Sequence, residues 1–218
     1  MSPRSRRRDE AAIPKRMTVH IPLRCRCGAV RGMANDISPQ TGSHIVCYCN
    51  DCQAYARFLG RDDIVDTHGG THIFQLTPAQ VSISRGQEQL VCMRLSEKGL
   101  IRWYTQCCRT PVGNTMSMPG LPFVGMVAAL MDFGSEAGAR DKVLGEPVAR
   151  VMGKYARGGA APGVHPRVPA SLLLRSAYLL ARARLAGKHR PSVFFDVEAK
   201  RPRLTPQVLG APERAALG

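Results

Sequence analysis

The chain has 218 residues, 44% hydrophobic and 22% charged, with a formal net charge of +15 and eight cysteines. That length buries a substantial core without help from disulfides, and that composition excludes wholesale disorder. The two unusual quantities occupy different segments. Residues 1–31 carry nine Lys and Arg against two Asp and Glu (+7), residues 32–140 eight against nine (−1), and residues 141–218 fourteen against five (+9). Every cysteine lies between Cys25 and Cys108, in the near-neutral part.

Residues 1–16 read as a flexible basic tail, rich in Arg and holding Pro3 and Pro14. They begin like a signal peptide, but no apolar run follows before Arg24. From residue 17 the pattern alternates, with Met17, Val19, Ile21 and Leu23 on one face, which predicts a strand. It runs into Cys25-Arg26-Cys27-Gly28, where the glycine permits a tight turn, and a second strand is expected over 29–33. A third is expected over 44–47. Asn50 or Asp51 then serves as N-cap of a short helix carrying Cys52 through Phe58.

After Gly69-Gly70, strands are expected over 71–76, 81–84, 89–95, 100–105, 112–116 and 123–130. Short strands between Gly, Pro and Asp turns predict a mainly β fold, a sheet sandwich or partly open barrel. Residues 158–163 read as a linker and 171–187 as a helix, its polar stripe formed by Ser171, Arg175, Tyr178, Arg182 and His189 and its broad apolar face docked on the domain. Three prolines make residues 202–218 read as loosely ordered. The expected organisation is a basic tail (1–16), a β-rich metal-binding domain (17–140) and a basic C-terminal extension with one helix (141–218).

The most apolar run, 170–186, is interrupted by Arg175, Arg182 and Arg184 and falls short of the ~20 residues a membrane span needs. A cytoplasmic protein is expected, and in a reducing compartment closely spaced cysteines are more often metal ligands than disulfides. The spacing here is Cys25-x-Cys27, Cys47-x-Cys49-x-x-Cys52 and Cys107-Cys108. Two thiolates a few residues apart on a turn reach one ion, and soft thiolate ligands select zinc. Seven cysteines exceed one ion's need, and four plus three is the natural division. A closed four-ligand site is structural, whereas three ligands leave a position for water or substrate. Cys92, in the hydrophobic run Val91-Cys92-Met93, reads as a small core residue.

In order and spacing, the CxCG, CxCxxC and Cys-x-Thr-Pro elements over about residues 17–130 resemble the glutathione-dependent formaldehyde-activating enzyme family, which includes centromere protein V. The resemblance implies a β-rich zinc-binding sandwich with two zinc ions. It places a structural zinc on Cys25, Cys27 and Cys108. The family's remaining ligand falls on Thr105 and its glycine on Arg109, so neighbouring Cys107 is the candidate replacement, although adjacent side chains of an extended segment face opposite ways. It places a catalytic zinc on Cys47, Cys49 and Cys52, with Cys52 in the first turn of the helix, where the dipole favours thiolate. It also implies addition of glutathione's thiol to formaldehyde, giving S-hydroxymethylglutathione.

The remaining polar candidates are weaker. Arg57 and Arg61 could attract glutathione's carboxylates or simply be solvated. His68 and His72 flank a double glycine and read as surface or hydrogen-bonded residues rather than a fourth ligand. The expected function is therefore a zinc-dependent, carbon–sulfur lyase-like protein acting on a small thiol such as glutathione and a small aldehyde. The alternative is a non-catalytic zinc module whose basic ends make weak contact with nucleic acid or bind a protein partner. A redox or metal-buffering protein is a third option.

Overall fold

Alternation of apolar and polar side chains sets the first strand, β1 (Val19–Arg24), which buries Ile21 and Leu23 and exposes the residues between them. The computed structural model describes residues 18–159 and 163–218, so the expected tail at 1–16 and part of the expected linker lie outside the described residues. Gly28, at φ 78°, turns the chain into β2 (Arg31–Ile37), antiparallel to β1 with Leu23 opposite Gly32.

Next come β3 (His44–Cys47), α1 (Asn50–Leu59), β4 (Thr71–Leu76), β5 (Val81–Arg85) and β6 (Leu90–Arg94). They are followed by β7 (Ile101–Thr105), β8 (Pro111–Thr115), β9 (Val124–Val127), α2 (Ala139–Leu144) and β10 (Ala149–Val151). The last elements are α3 (Ala170–Leu185), β11 (Phe195–Asp196), β12 (Arg201–Pro202), β13 (Gln207–Val208) and α4 (Ala211–Ala216).

Among the described residues these strands form a small sheet ordered β1-β2-β5, a large sheet ordered β10-β3-β4-β9-β8-β7-β6-β13, and the two-stranded pair β11-β12. The fold is mainly β. The two larger sheets pack face to face, Ile21, Leu23 and Ile37 of the small one meeting Phe74, Trp103, Val112 and Met126 of the large one. Trp103 is fully buried, donates from its indole nitrogen to the Thr115 hydroxyl at 3.0 Å, and lies 5.2 Å from the ring of Phe194. On the other face of the large sheet, α1 sets Ala54, Tyr55 and Leu59 against Met93, Tyr104 and Leu209.

Residues beyond 141 are integral to this architecture. β10 adds in parallel to β3 at one edge and β13 in parallel to β6 at the other. Phe194 and Phe195 fill the space beside Trp103. The expectation of a loosely ordered 202–218 is therefore corrected, because the freed edge of β6 offers a ladder that β13 completes.

The orientation of α3 is corrected too. It anchors through Leu172 and through polar groups: Arg175 donates to the Pro39 carbonyl at 2.6 Å and to Ser43, and Ser176 donates to Gln75. Leu174 is 72% exposed and Leu185 90% exposed, so much of the apolar face expected to dock faces solvent. The carbonyls of the 38–43 turn need donors, and a guanidinium supplies several at once. Leu172→Ala should therefore cost about 2–4 kcal/mol, whereas Leu174→Ala should stay within about 0.5 kcal/mol, as read by chemical denaturation.

Candidate metal centres

Two turns that are distant in sequence bring four sulfurs together. Cys25 and Cys27 come from the β1–β2 turn of the small sheet, Cys107 and Cys108 from the β7–β8 turn of the large one. The Sγ separations are 3.6 Å for Cys25–Cys27, 3.9 Å for Cys25–Cys107, 3.4 Å for Cys27–Cys107 and 3.8 Å for Cys107–Cys108. Four sulfurs bound at 2.3 Å on a tetrahedron would stand ~3.8 Å apart. The donor set therefore fits a single ion.

Cys107 belongs to this cluster, against the objection that adjacent side chains diverge. The objection assumes an extended segment, but residues 106–108 form a turn and Arg109 stands at φ 55°. Position 109 thus adopts the left-handed conformation that favours glycine while carrying Arg. Thr105, where the motif expects a ligand, supports Cys108 instead. Its hydroxyl accepts from the Thr110 N–H at 3.1 Å and lies 3.5 Å from the Cys108 sulfur.

Thr110 repeats this arrangement. Its hydroxyl accepts from the Arg26 N–H and from Arg61, both at 3.1 Å, leaving its own proton for Cys108 at 3.2 Å. Desolvation raises the Cys108 thiol, but these hydroxyls and Cys27 outweigh it and bring its pKa down to about 5. Burial pushes Cys107 up to about 12 and Cys25 up as well. One thiol ionises readily and its neighbours resist, as expected where like charges crowd without a cation. Arg61 is not a free surface cation: it is buried, with a bidentate pair to Asp63 at 2.6 and 2.7 Å.

The second cluster, Cys47, Cys49 and Cys52, forms where β3 runs into α1. The N-cap is Cys49 itself rather than Asn50 or Asp51, its sulfur accepting from the Cys52 N–H at 3.4 Å. At the other end of α1, Gly60 at φ 62° receives the left-handed C-cap. Hydrogen bonds from Cys47 and Cys49 hold the Cys52 thiol well below its ordinary range despite burial, with further help from the Arg102 guanidinium. Cys47 is pushed up, and Cys49 up to about 11. No fourth Cys, His, Asp or Glu joins this group among the described residues.

Arg102 and Thr71 also frame this centre. Arg102, only 3% exposed, extends from β7 over the Tyr55 ring at 5.1 Å, donates to Asn114 at 3.3 Å and lies 3.8 Å from Asp51. Thr71 is the ladder partner of Cys47, and its buried hydroxyl has no hydrogen-bond partner. The sequence carried a faint signal for Arg102, a charge between Ile101 and Trp103 on the face that Tyr104 turns to α1. For Thr71 only the strand register reveals the neighbour.

A family model matches residues 17–202, a span that includes both cysteine clusters and α3. The chain belongs to the DUF6151 family, a family of unknown function. No curated protein matches the chain. Within this DUF6151 chain, Cys92 is a buried core residue, as the sequence suggests. His68 is hydrogen-bonded to the Arg157 carbonyl at 3.0 Å and His72 to His44 at 3.0 Å. Arg57 donates to the carbonyl of Leu217.

Two outcomes check this geometry. Arg109→Gly should hold or raise stability by up to about 1 kcal/mol, because relief of the left-handed strain competes with loss of the cation–π contact to Phe58. Arg109→Val should destabilise by about 1–2 kcal/mol or more, since a β-branched residue tolerates φ 55° poorly. Thermal melts of the purified variants rank the three proteins. Separately, stripping metal with a strong chelator should lower the melting temperature, and Cys25→Ser should reproduce much of that loss.

Proposed function

We propose that Cys47, Cys49 and Cys52 hold a zinc ion whose remaining position takes a small thiol, and that the chain forms and breaks carbon–sulfur bonds between that thiol and a small aldehyde. Cys25, Cys27, Cys107 and Cys108 hold a second zinc that clips the two sheets. The observation that carries the reading is the three-sulfur centre, with a buried guanidinium beside it and an unpartnered hydroxyl on the strand next to it. When bound, zinc acts as a Lewis acid that lets a coordinated thiol ionise near neutral pH.

The chain's own residues do the rest. Arg102 balances the excess negative charge of three thiolates in a dry setting, where an unpaired charge is costly. Cys49 fixes the start of α1, which points its N–H groups at the centre. The Thr71 hydroxyl is free to donate to a bound ligand. Cys47 and Cys49 are partly exposed, so the centre is open from that side. In the reaction the thiol sulfur bonds to the carbonyl carbon, the C=O π pair moves to oxygen, and the thiol proton ends on that oxygen. Glutathione with formaldehyde, giving S-hydroxymethylglutathione, is the substrate pair suggested by the motif resemblance.

The rival reading, a zinc module that binds nucleic acid or a protein partner through basic ends, draws on charge and on analogy with the centromere-associated branch of the family it resembles. Part of that charge is spent inside the fold. Arg175 and Arg203 donate to backbone carbonyls, Arg157 to Gln53, and Arg214 to Asp51.

Cys49→Ser separates the possibilities, because serine is itself a good N-cap and preserves α1. The metal-loaded wild type should bind glutathione and accelerate its exchange with S-hydroxymethylglutathione, followed by NMR. The variant should fall to the uncatalysed rate with its melting temperature nearly unchanged. A wild type, loaded at both cysteine clusters, that neither binds glutathione nor accelerates the exchange sinks the proposal.

A further inference from the structure

The large sheet carries a second set of donors on the face opposite the thiols. In the β3–β4 ladder His44 pairs with Phe74 and Val46 with His72, so the two histidines are diagonal neighbours on the inner face that holds Phe74. Cys47 and Thr71 occupy the other face, three residues from His44 on β3 and one from His72 on β4. Asp141 of α2 completes the group, and the ligand atoms of His44, His72 and Asp141 all lie within 4.8 Å of one another.

We propose that His44, His72 and Asp141 form a third metal site, a two-histidine, one-carboxylate centre for a divalent first-row transition cation, distinct from the two cysteine clusters. Two imidazoles with one carboxylate suit zinc, iron, nickel or cobalt rather than calcium or magnesium, which favour all-oxygen sites.

Three features beyond proximity support it. His44 Nδ1 donates to the Gly145 carbonyl at 2.7 Å, which fixes the tautomer and leaves Nε2 with a lone pair aimed at His72. Metal-binding histidines are oriented by this kind of bond to a backbone carbonyl. The Asp141 carboxylate is held by Arg140 at 2.9 Å, as a ligating carboxylate commonly is by a hydrogen-bond donor. His44 Nε2 and His72 Nδ1 are 3.0 Å apart, and two nitrogens bound at ~2.0–2.1 Å to one ion at a right angle would be ~2.9 Å apart.

The surroundings agree. Burial lowers both histidines, His72 to about 4, so the rings are neutral, and a bound ion would take the place of the proton that His72 Nδ1 donates to His44 Nε2, that proton moving to His72 Nε2. A cavity of about 200 Å³, lined by His72, Asp63, Phe133 and Arg140 among others, adjoins the site and provides room for the ion's remaining ligands. Three protein ligands with such an opening leave coordination positions for water or a small anion beside Arg140.

The test uses the full chain with both cysteine clusters already loaded with zinc, titrated with cobalt(II) and followed by visible absorption and calorimetry. One further equivalent should bind, giving the weak ligand-field bands of nitrogen and oxygen donors without thiolate charge-transfer bands. His72→Ala and Asp141→Asn should each weaken that event by more than about 100-fold, above the loss produced by an outer-shell partner alone. Both positions are only partly buried, and circular dichroism verifies that the variants are folded. Retained binding in both folded variants, or no saturable binding in the wild type, overturns the proposal. His44 and His72 are then a hydrogen-bonded pair only.

Discussion

Sulfur atoms packed 3.4 to 3.9 Å apart cannot all carry charge unless a cation sits among them, and this architecture is arranged around that constraint. In the four-cysteine cluster, the acidic thiol is Cys108, prepared by two threonine hydroxyls whose own protons are directed at it by N–H donors from Arg26, Arg61 and Thr110. In the three-cysteine cluster it is Cys52, prepared by its sister thiols and by Arg102. Each cluster thus holds one ready thiolate and reluctant neighbours. A divalent ion would let the rest ionise, and at the four-cysteine cluster, which joins the two sheets, its binding energy would also be folding energy.

The position of the ligands matters as much as their chemistry. The four-cysteine cluster joins a turn of the small sheet to a turn of the large one, at the rim of the sandwich whose middle is Trp103. With an ion bound it would cross-link residues 25–27 to 107–108, closing a loop of the length for which loop-closure entropy is large. The three-cysteine cluster sits on a strand end and a helix start, a local loop that closes at little entropic cost. Reach across the molecule suits a structural clip; a short, partly exposed loop with a buried counter-charge suits a site that exchanges ligands.

Much of this was legible in the sequence because it depends on local rules. The limits of β3 and β4 follow from their apolar runs and flanking turns, spacing divides the cysteines into four and three, and the motif resemblance implies the grouping of Cys25, Cys27 and Cys108 against Cys47, Cys49 and Cys52. What stayed hidden depends on backbone or register. Cys107 is only a possible ligand in the sequence, because an extended chain turns adjacent side chains apart; the turn ending at Arg109 brings it into the cluster. α3 looked like a helix that docks by its leucines, because periodicity cannot weigh the hydrogen-bonding demand of the carbonyls at Pro39 and Gly42. His44 and His72 are 28 positions apart, and only the pairing of β3 with β4 brings them to one spot.

The two parallel edge strands supplied by the last third of the chain have a kinetic consequence. During synthesis from the N-terminus, every cysteine emerges well before β10, Phe194 and β13, which cover the sheet edges and the Trp103 pocket. Contacts of such long sequence separation form late. The local Cys47, Cys49 and Cys52 group is therefore complete in sequence before the edges of its sheet are covered. If the clusters take up metal, its capture in that interval would compete with oxidation, and the order in which the chain appears would then tie metal supply to folding.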